Sequence, residues 1–155
     1  MDNTELIKTF YRSFSVSDAE GMVNCYHPEI QFQDPAFGIL KGEDAKNMWR
    51  MLVERSKGQI KISCSNVVAN NKVGSANWEA HYTFGQTGRK VINKISAEFE
   101  FKDGKIIKHT DIFDLWKWSR QAFGFSGYLL GWSSFMRKKI QQRSNSLLRS
   151  FIAKK

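Results

Sequence analysis

Three ionisable side chains stand where strands meet an apolar interior. The stretch "QFQDPAFG" at residues 31–38 ends an alternating run on Asp34 and follows it at once with Pro35. Proline cannot extend a ladder and aspartate starts turns, so Asp34 closes a strand. A carboxylate in that position, beside an apolar interior, is also suited to act as a general base. Further on, "KIIKHTDIFD" at residues 105–114 sets His109 and Asp111 two apart, which on a strand places both on one face. Buried without partners, an imidazole and a carboxylate are costly. Their presence there reads either as a structural His-Asp pair or as the polar part of a functional pocket.

The elements that must position these groups follow from hydrophobic period. Leu6, Phe10 and Phe14, with Ile7 and Tyr11, make one face of a first helix. Ser17 and Glu20 form a capping-box pattern for a second, with Met22, Val23 and Tyr26 as its apolar face and Pro28 as its end. A strand is expected at 29–34, a loop over "PAFGILKG", and a third helix at 43–57 carrying Ala45, Met48, Trp49 and Leu52 on one side. The period then changes to alternation. "QIKISCSNVVA", "KVGSANWEAHYTF", "KVINKISAEFEF" and "KIIKHTDIFD" read as four strands, divided by turn residues at Asn70-Asn71, Gly85–Gly88 and Asp103-Gly104. Helices first and strands afterwards indicate an α+β fold with helices on one face of a curved sheet.

Trp78, Ala80, Tyr82 and Phe84 share one strand face, and Val91, Ile95, Ala97, Phe99 and Phe101 share the next. For the last hairpin a two-residue turn would set Lys108 against Phe99. A three-residue loop with Gly104 left-handed instead pairs Phe99 with Ile107 and Ala97 with His109, and is the expected register. Ile107, His109, Asp111 and Phe113 then point inward. Trp49, Trp78 and Tyr82, with Phe10 and Phe99, supply broad aromatic walls. An apolar space holding a few polar groups is the usual form of a site for a small hydrophobic molecule.

With 155 residues, 41% hydrophobic and 25% charged, the chain is sized for one globular domain. Cys25 and Cys64 form no CxxC and have no histidines at ligand spacing, so neither a disulfide nor a metal site is expected. No glycine-rich phosphate loop or nucleotide fingerprint appears, so no cofactor is expected. The start "MDNTELIKTF" lacks the pattern of a secretory signal, which points to a cytoplasmic protein. The net charge of +9 is unevenly placed: residues 115–155 hold nine Lys and Arg and no acid, leaving 15 basic and 15 acidic residues before them.

Taken together, the element order and the stretches "YHPEIQFQDPAFG", "WEAHYTF" and "FKDGKIIKHTDIFDLW" resemble the nuclear transport factor two-like superfamily, in its SnoaL-like and ketosteroid-isomerase-like branch. The resemblance covers residues 2–118. It implies a cone, in which a strongly curved, mostly antiparallel sheet (cystatin-like) wraps around helices and encloses a ligand cavity, and a homodimer formed through the sheet. It also places Asp34 where the isomerases carry their base. Of the two oxyanion donors that complete the isomerase site, the tyrosine position falls on Phe10 and the other on Ala97, so steroid isomerisation is not implied. SnoaL-type cyclases use acid-base residues of the last strands, which His109 and Asp111 match. Epoxide hydrolases of this fold need an inward arginine; Arg50 and Arg55 fall on the third helix and Arg89 in a turn.

Residues 119–155 exceed such a domain of 1–118. After Gly124 and Gly127, a stripe of Leu129, Trp132, Met136, Ile140, Leu147 and Phe151 lies opposite Arg137, Lys138, Lys139, Arg143 and Arg149, a basic amphipathic helix. It is expected to pack on the domain or its dimer mate, with a membrane surface as the next partner and nucleic acid disfavoured for want of a binding motif. Three functions stay open on this sequence: acid-base chemistry of isomerase, cyclase or dehydratase type on a hydrophobic, cyclic molecule; non-catalytic binding of such a molecule; or an adaptor whose cavity is filled by side chains.

Overall fold

The computed structural model describes residues 1–125 and 134–154. Helix α1, Asn3–Ser15, starts where the Asp2 side chain accepts from the Glu5 amide and buries Leu6, Ile7, Phe10, Tyr11 and Phe14. Helix α2, Ala19–Val23, is capped by Asp18 and not by Ser17, which takes a left-handed φ of 59°. The helix is only five residues long, so the chain is already extended at Tyr26. Strand β1 therefore runs Tyr26–Asp34, three residues earlier than expected. Its pairing with β6 shifts register between Tyr26 and Gln31, an irregularity that accommodates Pro28.

The expected loop after Asp34 contains a strand. β2, Gly38–Lys41, folds back on β1 with Asp34 opposite Gly38 and Phe32 opposite Leu40. Asp34 makes that reversal by accepting the amides of Ala36 and Phe37 at 2.9 and 2.6 Å, while Gly38 supplies a φ of 75°. Helix α3, Glu43–Ser56, follows, then β3 (Lys61–Ala69), β4 (Val73–Phe84), β5 (Arg89–Lys102), β6 (Lys105–Ile112), α4 (Leu115–Phe123) and α5 (Ser134–Ala153). The strands form one curved, unclosed sheet in the order β2-β1-β6-β5-β4-β3, with every pair antiparallel except β1 with β6. The fold is α+β, as the segregation of helices and strands indicated.

The last hairpin corrects the expected register. Lys102 faces Lys105 across a two-residue turn in which Asp103 and Gly104 have φ of 55° and 73°, the left-handed pair that an Asp-Gly turn favours. A bulge follows: Phe101 pairs with Ile106 and Glu100 with Lys108, so Ile107 is the extra residue. Phe99 thus meets His109, and Ala97 meets Asp111. The bulge keeps Lys108 outside, as the expected three-residue loop would, but it buries Ile106 and not Ile107, alongside His109 and Asp111.

Helices α1 and α3 cover the inner face, and their side chains merge with those of β1, β4, β5 and β6 in one core. At Gly74 of β4 an added Cβ would lie 3.0 Å from the Ile7 side chain and 3.1 Å from Phe101, so a bare backbone lets α1 approach the sheet. Helix α5 lies against the β1-β2 turn and α3. Ile140 and Leu148 are buried, and Leu147, Phe151 and Ile152 pack partly against the core. Gln141 and Asn145 donate to the carbonyls of Pro35 and Phe37 at 3.1 and 2.9 Å. Of the expected stripe, Leu129 and Trp132, with Gly127, lie outside the described residues. No helix among the described residues is long and apolar enough to cross a membrane.

Candidate functional site

Parallel pairing of β1 with β6 sets Phe32 opposite His109 and Tyr26 opposite Ile106, and the side chains of Tyr26 and His109 are both buried in the core. Helix α3 lowers Trp49 onto them. The Trp49 indole N–H donates to the Tyr26 hydroxyl at 2.8 Å, and the Tyr26 hydroxyl lies 2.7 Å from His109 Nδ1. On the other side of the ring, His109 Nε2 is 2.8 Å from Asp111 Oδ1, which also accepts from the Trp78 indole at 3.2 Å. One assignment gives each donor an acceptor: Tyr26 O–H donates to Nδ1, and Nε2–H donates to the carboxylate. The result is a continuous chain from Trp49 through Tyr26 and His109 to Asp111 and Trp78.

The chain is sealed. His109 has no exposed surface and Asp111 only 3%. Phe99, Phe32 and Phe10 have ring centroids 4.6, 5.1 and 5.5 Å from the imidazole, and the Trp49 ring stacks at 6.1 Å. Because both ring nitrogens are engaged, His109 meets a ligand only by giving up one of these bonds; in place, it holds and polarises Asp111. Burial, opposed by the Trp49 hydrogen bond and reinforced by the charge of Asp111, pushes the Tyr26 phenol well above its usual range. Tyr26 therefore keeps its proton for His109.

Tyr11 is the exception to this saturation. It is buried, with 2% exposure, and among the described residues its hydroxyl has no hydrogen-bond partner. Burial first, then the charge of Asp111, raises its pKa well above normal, so its hydroxyl keeps its proton and stands as an unused donor. Its ring also forms part of the floor of an open surface groove of about 530 Å³ between α1 and β3, together with Lys8, Arg12, Ser15, Ile62 and Cys64, with the hydroxyl itself buried beneath. A second groove of about 460 Å³ is lined by residues of β3 to β6, including Glu98, Glu100 and Lys108, and does not include His109.

Of the residues expected to form the site, Phe10, Trp49, Trp78, Phe99, His109 and Asp111 come together. The two tryptophans do so through their N–H groups as well as their rings. Asp34 makes no hydrogen bond to this chain of groups: it sits at the β1-β2 turn under α5, its carboxylate accepting the two amides of that turn, and it reaches the cluster only through its charge. Burial raises its pKa to about 7, the Asp111 charge adds to the rise, and the two amides oppose it. Tyr82 belongs to another cluster, where its hydroxyl accepts from Trp118 at 2.7 Å. Tyr26 and Tyr11 are the site residues that sequence reasoning left out. Tyr26 shares its parity with Ile30 and Phe32, a strand signal that Pro28 concealed. No group of three or more His, Cys, Asp or Glu among the described residues converges to hold a metal ion.

Comparison with known proteins agrees with this fold. A SnoaL-like domain profile matches residues 7–109. No curated protein matches the sequence. Among solved structures, an NTF2-like protein of unknown function from Burkholderia pseudomallei superposes with a TM-score of 0.67 at 16% identity, over 79% of this chain and 99% of that one. A proposed polyketide cyclase from Xanthomonas campestris gives 0.61 at 18% identity, over 76% and 94%. TerC, co-crystallised with polyporic acid, gives 0.62 at 20% identity, over 72% and 91%. At these identities the likeness is one of fold. The profile spans well over half of the sequence, and the chain belongs to the SnoaL-like domain family.

Proposed function

We propose that this chain binds a small, hydrophobic, cyclic molecule carrying an oxygen acceptor, and performs acid-base chemistry on it of the isomerase, cyclase or lyase type. The unpartnered Tyr11 phenol carries this reading. A buried donor without an acceptor costs about 1–3 kcal/mol, and a ligand oxygen that enters from the groove between α1 and β3, with a small shift of the side chains covering the hydroxyl, removes that cost. Tyr11 then holds the oxygen, and Asp111, anchored by His109 and Trp78, is the base next in line. Tyr26 and Trp49 complete the chain that spreads the proton's charge. Substrates and products related by a proton shift suit such a site. Titration calorimetry with α-tetralone and with polyporic acid tests the reading. Binding weakened roughly 5- to 10-fold in Tyr11→Phe, the worth of one neutral hydrogen bond, supports it; equal affinity of wild type and variant contradicts it.

Complete enclosure of His109 by aromatic rings favours a second reading, a non-catalytic module in which the chain of hydrogen bonds fixes the core. On that reading neither compound binds, and replacing any member changes stability alone.

A further inference from the structure

The excess of positive charge lies in residues 115–155, and α5 carries most of it. The apolar side of α5 is already docked on the body through Ile140 and Leu148, and Gln141 and Asn145 tie it to the β1-β2 turn. Docking turns the opposite side outward. Arg137, Lys138, Lys139, Arg143 and Lys154 are all exposed, and among the described residues only Arg149 of this helix meets a carboxylate, that of Asp44. At the N-terminal end Phe135 is 66% exposed, with the Lys139 ammonium 5.4 Å from its ring centre.

An interfacial helix ordinarily buries its apolar face in lipid. Here that face is taken, so attachment has to come from the basic face, with Phe135 as an apolar anchor. We infer that α5 docks this protein onto an anionic phospholipid bilayer, cations against headgroups and Phe135 at the acyl boundary. A nucleic-acid duplex satisfies the cations equally but leaves the phenylalanine without a place, whereas the bilayer interface accepts both together.

Vesicle co-sedimentation of the full chain tests this, comparing phosphatidylcholine alone with phosphatidylcholine containing roughly 30% phosphatidylserine, near the charge of a cytoplasmic leaflet. Binding is expected only to the anionic vesicles, falling as salt rises. The Arg137→Glu/Lys138→Glu/Lys139→Glu variant should lose about 100-fold in partitioning, and Phe135→Ser several-fold, both keeping the wild-type melting temperature because these positions are exposed. Three results overturn the inference: no preference for anionic vesicles, binding unchanged in the triple variant, or tighter binding to duplex or single-stranded nucleic acid that Phe135→Ser leaves intact.

Discussion

His109 Nε2 lies 2.8 Å from Asp111 Oδ1, inside a shell of aromatic rings that leaves the imidazole no exposed surface. Two residues of one strand, two apart, meet this way because the bulge at Ile107 keeps both on the inner face. Breaking a buried pair strands the survivor, so Asp111→Ala should cost about 3–5 kcal/mol. Asp111→Asn, which still accepts from Trp78 and His109, should cost less than half of that. Urea unfolding of the two variants measures the difference; equal losses would mean that the charge, not the acceptor, holds the chain together.

The two buried tyrosines should respond oppositely to loss of their hydroxyls. Tyr26→Phe leaves the Trp49 N–H and His109 Nδ1 without a partner and should destabilise by about 2–4 kcal/mol. Tyr11→Phe removes a hydroxyl with no partner and should be neutral or stabilising by up to ~1 kcal/mol. Chemical denaturation reads both, and a large loss in Tyr11→Phe would show that its phenol is already satisfied.

Asp34 gives the fold a pH dependence of definite sign. Its pKa is about 7 in the native state, above the ordinary carboxyl value near ~4 of the unfolded chain. The native state therefore binds the proton more tightly, and this group's contribution to stability falls as pH rises from about 4 to about 7, then levels off. Asp34→Asn keeps an acceptor for Ala36 and Phe37 but not the charge. Its stability relative to wild type should be greater at pH 8 than at pH 4.5 by on the order of 2 kcal/mol. A difference independent of pH would place the carboxyl in contact with water.

Helix α5 should be held by its apolar face rather than by its ion pair. Leu148 is fully buried, so Leu148→Ala should cost about 2–4 kcal/mol. Arg149 is exposed and Asp44 only half-buried, so Arg149→Ala should cost under ~1 kcal/mol. Thermal melts of both variants decide; the reverse ranking would mean that charge fastens the helix.

Much of this site was legible in sequence where period 2 was long and clean. The faces of β4 and β5, and the inward direction of His109 and Asp111, follow from alternation alone. The partners of β6 did not, because a two-residue turn plus a bulge and a three-residue loop both turn His109 and Asp111 inward and differ only nearer the turn, at Ile106 and Ile107. Tyr26 was hidden by Pro28, a residue that ends helices but also sits in strand irregularities. The β1-β2 hairpin escaped because four residues give too little period to read, and its turn depends on Asp34 accepting two amides. The solitary state of the Tyr11 hydroxyl has no sequence signal, since it depends on what the packed core fails to offer.

The most direct test of the site is the ¹⁵N NMR spectrum of the His109 imidazole, recorded as α-tetralone is added to wild type and to Tyr11→Phe. If a ligand oxygen docks on Tyr11 and the hydrogen-bonded chain behind it responds, the Nε2 and Nδ1 resonances shift on titration in wild type and stay put in the variant. Resonances that remain fixed in wild type while the compound binds would contradict any link between the groove and the His109–Asp111 pair.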